Sequence, residues 1–143
     1  MKKLYTMTLA SAVAFTLLGC AGSTATAGTI AEAAKLDVKV ACSPKLGAAA
    51  LLATAKKFNP TAVKHEIEFM RFKVTNSKAI KAIEKTMKEG KTTVHLLKKK
   101  KYTLTSVNDA SWRACMFAIR PLQMAAAAEE NYHLAVPGDK FKY

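Results

Sequence analysis

The stretch SWRACMFAIRPLQMAAAAEE, Ser111 to Glu130, decides what kind of fold this chain has. Its alanines, its methionines and Leu122 favour helix, whereas Trp112, Phe117 and Ile119 favour strand. Pro121 lies in the middle, and a proline inside a helix removes a hydrogen bond and clashes with the preceding turn. Two readings follow. Either two helices meet at Pro121, or 112–119 is a strand and a helix runs over 122–131. The β-favouring side chains, and the turn residues Asn108-Asp109 just upstream, favour the second reading.

Outward from that stretch, local signals predict alternating elements. Leu36, Val38 and Val40 alternate with polar residues, so 36–41 reads as a strand ending at Cys42. Ser43 and Pro44 form a helix start, and an Ala/Leu-rich helix over 46–58 stops at Asn59-Pro60. Residues 63–74 read as a strand whose apolar phase changes after Phe69. A β-bulge at Phe69-Met70 repairs that phase. Asn76 or Ser77 caps a helix over 78–89, with Ala79, Ile80, Ile83 and Met87 on one face and Gly90 as its stop. Residues 92–97 and 102–107 read as a hairpin with Lys98, Lys99, Lys100 and Lys101 at its tip, and 132–136 as a short last strand. These elements add up to an α+β domain. The expectation is a two-layer sandwich, with a mostly antiparallel sheet of about four or five strands and helices on one face.

The start of the chain has a different character. Lys2 and Lys3 precede an uncharged, mostly apolar run over 4–18, which ends in Leu17-Leu18-Gly19-Cys20. The run is shorter than the roughly 20 apolar residues a membrane span needs, and its order of charge, apolar run and small residue is that of an export signal. The motif resembles the lipobox of bacterial lipoprotein signal peptides. The resemblance covers the first 20 or so residues, and no family is recognised for the remainder. It implies cleavage after Gly19, lipidation of Cys20 and a membrane anchor, with that covalent lipid as the only cofactor. Ala21, in place of an aspartate, implies the outer membrane facing the periplasm rather than the inner membrane. The alternative is cleavage after Ala25-Thr26-Ala27, giving a soluble exported protein. The expected organisation is a signal peptide over 1–19, a lipidated cysteine and flexible tether over 20–34, and a single domain over 35–143.

Removing 1–19 leaves 124 of the 143 residues, enough for one core without staples. The formal charge of +13 falls to +11 without Lys2 and Lys3. The positive side chains are almost all lysines, against Arg71, Arg113 and Arg120 alone. A basic envelope protein fits anionic neighbours: lipid headgroups, lipopolysaccharide, cell-wall carboxylates or, less well, DNA. The bland reading is a solvated basic surface. Lys98–Lys101 with Tyr102 is the one run fit to grip anions. Without interleaved arginines such binding is salt-sensitive and sequence-blind.

With Cys20 acylated, Cys42 and Cys115 remain, and in an oxidising compartment such a pair forms a disulfide or stays as two thiols. Cys42, just ahead of a predicted helix start, also carries a thiol-enzyme or redox reading, although neither a Cys-x-x-Cys partner nor a nearby histidine supports it. His65, His95 and His133 have no metal-site spacing, even with Met70, Met116 and Met124 as soft ligands. Glu66 and Glu68 are expected to project outward between lysines rather than to form an acid–base pair. Ser43 and Ser111 lack partners in motif form. These observations favour a non-enzymatic, lipid-anchored component of an envelope assembly. The second class is a binding module for an anionic polymer, and the third a thiol enzyme using Cys42.

Overall fold

The computed structural model describes residues 26–71, 73–95 and 105–135. Five α-helices dominate them: α1 Ile30–Ala34, α2 Val38–Ala41, α3 Gly47–Lys64, α4 Asn76–Lys88 and α5 Val107–Ala135. Two separate antiparallel ladders complete the order. Strand β1 Met70–Arg71 pairs with β2 Val74–Thr75, and β3 Thr93–Val94 pairs with β4 Thr105–Ser106. The α+β sandwich with a sheet of about four or five strands and helices on one face is therefore overturned. The fold is a helical packing of α3, α4 and α1 around α5, with two β ribbons at the connections.

Helix α5 carries the main correction. Residues 112–119 form no strand, and the helix continues through Pro121 to Ala135, so the short last strand at 132–136 is also absent over 132–135. The buried residues explain why. Ser111, Ala114, Cys115, Ala118, Ile119 and Leu122 are sealed from solvent, and they recur at three- and four-residue steps on one helical face. Proline at 121 removes a single hydrogen bond, and the packing of that face on both sides of it outweighs the loss. The strand preference of Trp112, Phe117 and Ile119 is a weak prior, overridden by burial.

The same competition explains the other revisions. Within 36–41 the chain forms helix α2 over Val38–Ala41 instead of a strand, because the Asp37 carboxylate accepts from Lys39 N at 2.8 Å and caps the turn. Val38 and Ala41 then face the core with Cys42, while Val40, expected to point inward, is exposed. Helix α3 begins at Gly47, after a 3-10 turn over Pro44–Leu46, and Gly47 has the positive φ of 80° that the junction requires. It does not stop at Asn59-Pro60. The buried stripe Leu51, Leu52, Ala55, Phe58, Asn59 and Ala62 carries it on to Lys64, with Pro60 on the exposed side. In place of a bulged strand over 63–74, the chain leaves α3, crosses to Phe69, which stacks on Phe117 with ring centroids 3.9 Å apart, and turns back through β1 and β2.

Helix α4 keeps its expected position and ends at Gly90, but Thr75 rather than Asn76 or Ser77 is its cap residue. The expected hairpin pairing survives in the β3–β4 ladder, in the register Thr93↔Ser106 and Val94↔Thr105. The packed body starts at Gly28. A capping box between Thr29 and Glu32 opens α1, Ala33 is fully buried, and the Gln123 side chain donates to the carbonyls of Ala33 and Leu36. Gly28 and Ala33 are thus buried in the body, within the stretch 20–34 expected as lipidated cysteine and tether.

Candidate functional site

The two cysteines of the body meet. Cys42, at the end of α2, and Cys115, in the first third of α5, lie with their sulfurs 1.98 Å apart and their Cα atoms 5.7 Å apart. Both are buried, at 1% and 0% exposure. Asn108 reinforces the junction by donating to the Pro44 carbonyl at 3.2 Å. A sulfur held in a disulfide is not a thiolate nucleophile, so Cys42 in this arrangement staples the N-terminal segment to the central helix.

The densest polar cluster joins α3, α4 and α5. Asn59 and Asn76 are 4% and 2% exposed. Asn76 Nδ2 donates to Asn59 Oδ1 at 2.8 Å and to the Ala114 carbonyl at 3.0 Å. Asn59 Nδ2 donates to Glu68 Oε1 at 3.0 Å and to Ser77 Oγ at 2.9 Å. The Glu68 carboxylate also accepts from Ser77 N at 2.5 Å. Burial pushes the Glu68 carboxyl up, but the Ser77 side chain, the Asn59 amide, the Ser77 N–H and the Lys78 charge together hold it below the ordinary glutamate value. A carboxylate so occupied is a poor proton shuttle at neutral pH. It serves the first turn of α4 instead. Three donors there find acceptors: Asn76 N at the Phe69 carbonyl, Ser77 N at Glu68, and Lys78 N at Thr75 Oγ1. The negative charge of Glu68 also suits the helix N-terminus.

Glu68 is therefore turned inward, against the expectation of an outward pair with Glu66, which is exposed. Asn59 was missed as a buried partner because Asn59-Pro60 reads as a stop, and Asn76 because it reads as a helix cap. The signal that would have found Asn59 is its place on the stripe running from Leu51 to Ala62 at helical steps. Among the described residues there is no group of three or more His, Cys, Asp or Glu side chains fit to hold a metal. His65 is exposed on the turn after α3.

The third feature is the open face of α3. The span Val38–Lys64 is long and apolar enough, by length and composition, to cross a membrane. It is not one helix, however. The 3-10 turn and Gly47 break it, and such a break within hydrocarbon leaves backbone groups without partners. One side of α3 is buried against α5. The other presents Ala49, Ala53, Lys57, Pro60 and Lys64 to solvent.

Of the expected site residues, Cys42 and Cys115 come together. Cys20, Lys98, Lys99, Lys100, Lys101 and Tyr102 lie outside the described residues. Comparison with known proteins finds no match, whether to a family model, a curated protein or a solved structure.

Proposed function

We propose that this protein is a membrane-anchored lipoprotein facing the periplasm, and that it acts as a non-enzymatic structural or accessory component of an envelope assembly. The observation that carries the reading is Cys20, placed directly after the apolar run in Leu17-Leu18-Gly19-Cys20. Two acyl chains on that cysteine give stable anchoring where one gives only marginal binding. The Cys42–Cys115 pair at disulfide distance supports an oxidising compartment. The polar cluster supports a structural rather than a chemical role, since Glu68 Oε1 accepts both from Asn59 of α3 and from the first turn of α4.

A second reading, binding of an anionic envelope polymer through Lys98–Lys101, draws support from the β3–β4 ladder, which pairs the two chain segments flanking that run. Cys42, engaged with Cys115, offers no free thiolate to a thiol enzyme in this arrangement.

The test is an intact mass of the protein from the membrane fraction, non-reduced, after thiol alkylation. The expected mass is that of 20–143 with acyl chains and no added alkyl groups. A mass beginning at Gly28, recovered from the soluble fraction, overturns the anchor. For the second reading, replacing Lys98–Lys101 with serine should abolish low-salt sedimentation with cell wall or lipopolysaccharide. Unchanged sedimentation removes it.

A further inference from the structure

We infer that the solvent-facing side of α3 lies on the surface of an anionic bilayer, so that the domain docks flat on the membrane that anchors it. The inference rests on the lipid-anchor reading and adds an orientation to it.

The first support is where the chain joins the body. Gly28 N donates to the Lys57 carbonyl at 2.8 Å, and Thr61 Oγ1 donates to the Gly28 carbonyl at 2.5 Å. The ring of Phe58 lies so close that a β-carbon on Gly28 would clash with it. The chain is thus pinned beside the second half of α3. Cys20 is eight residues upstream, a contour of at most about 29 Å at full extension, comparable to the length of α3 itself at about 27 Å. A lipid on Cys20 therefore tethers the body through a segment that joins it beside α3.

The second support is the chemistry of the face. Ala49, Ala53, Lys57, Pro60 and Lys64 share one side of the helix at steps of three and four, all exposed. Leu46 precedes them at 51% exposure, and Val63 flanks them at 45%. The face holds small apolar residues toward its start and lysines toward its end, with no acidic residue anywhere along α3. Two side pairs, Lys57–Glu32 at 3.8 Å and Lys56–Glu84 at 2.5 Å, are solvent-exposed and therefore weak. Lysines in such pairs exchange readily for phosphate. The face has too few large apolar side chains for deep insertion, which fits seating at headgroup level.

The experiment uses the full, lipidated chain in phosphatidylcholine vesicles with and without phosphatidylglycerol. An environment-sensitive fluorophore is attached to Ala53→Cys on this face, or to Arg120→Cys on the exposed side of α5. The inference expects a blue shift and brighter emission at position 53 only with phosphatidylglycerol, no change at 120, and loss of the change in Lys57→Glu/Lys64→Glu or at high salt. Unchanged emission at 53 in a protein that floats with the vesicles and carries acyl chains overturns the docking and leaves the anchor intact. A signal at 53 that depends on protein concentration in detergent, without vesicles, means a second copy covers the face, and also overturns it. A protein whose Cys20 carries no lipid fails the anchor reading and removes the premise of the inference.

Discussion

The N-terminal segment 28–46 and the α4 unit 75–90 are built in opposite ways. Helix α4 is specified largely by its neighbours in sequence. Thr75 and Glu68 supply acceptors at its start, its apolar side is Ile80 and Ile83, and Gly90 ends it with the left-handed φ of 66° that glycine adopts freely. The N-terminal segment contains helices of five and four residues, far too short to persist alone. It is held from outside, by Gln123 at its middle, the disulfide near its end and the Phe58 ring at Gly28. Locally specified structure should tolerate loss of distant contacts, and remotely held structure should not.

The largest expected effect comes from cutting the remote hold. Replacing Cys42 and Cys115 with alanine opens a loop of 73 positions, for which chain entropy gives about 4 kcal/mol. Urea unfolding should show that loss, and amide exchange should rise over 28–46 before it rises in α4. Equal gains in both regions would sink the contrast. Next is Gly28→Ala, which drives a methyl group into the Phe58 ring. Overpacking of this kind costs about 1 to 3 kcal/mol. Adding Phe58→Leu should recover part of the Gly28→Ala loss relative to Phe58→Leu alone. Strict additivity in that double-mutant cycle would show that the two residues are not coupled.

The contrast also explains what could be read in the sequence. Helix α4, its Gly90 stop, the β3–β4 pairing and the meeting of Cys42 with Cys115 were all legible or named as options, because each rests on a residue type with a local meaning. Two-residue periodicity over Leu36, Val38 and Val40 misled, since Asp37 caps a single helical turn and six residues are too few to separate the periods. Pro60 and Pro121 misled in the other direction. Each lies in a helix whose buried face continues beyond it, and sequence-local rules weigh the lost hydrogen bond but not the packing. The polar cluster was invisible because Asn59 of α3, Glu68 of the connection after it, and Asn76 and Ser77 of α4 meet only in the fold.

That cluster supplies the pH test of α4. The Glu68 carboxyl is held below its ordinary value in the folded state, so its contribution is complete above the ordinary glutamate range near pH 4.3 and fades as pH falls through the lowered folded value. Glu68→Gln should lose about 1 to 2 kcal/mol at neutral pH. Its urea midpoint should then drop less than that of the parent on acidification through and below this range. Parallel pH profiles would show that the carboxylate contributes nothing specific to the start of α4.

The smallest expected effects compare two helix ends of the same design. After α4, Gly90 N bonds to the Met87 carbonyl and Lys91 N to that of Thr86. After α3, Glu66 N bonds to the Val63 carbonyl and Ile67 N to that of Ala62. Both are Schellman closures, and both need a left-handed residue at the same position. Glycine occupies it in one, whereas Glu66 adopts a φ of 58° in the other. The left-handed conformation costs a residue with a β-carbon about 1 to 2 kcal/mol, so Gly90→Ala should destabilise by about 1 kcal/mol. Glu66→Gly should stabilise by about 0.5 to 1 kcal/mol, with part of the relief lost to the freer unfolded chain. Glu66→Asn, which tolerates the same φ, should fall between the two. A destabilised Glu66→Gly would mean that the glutamate side chain itself contributes to closing α3, and that the two ends, alike in hydrogen bonding, are held by different forces.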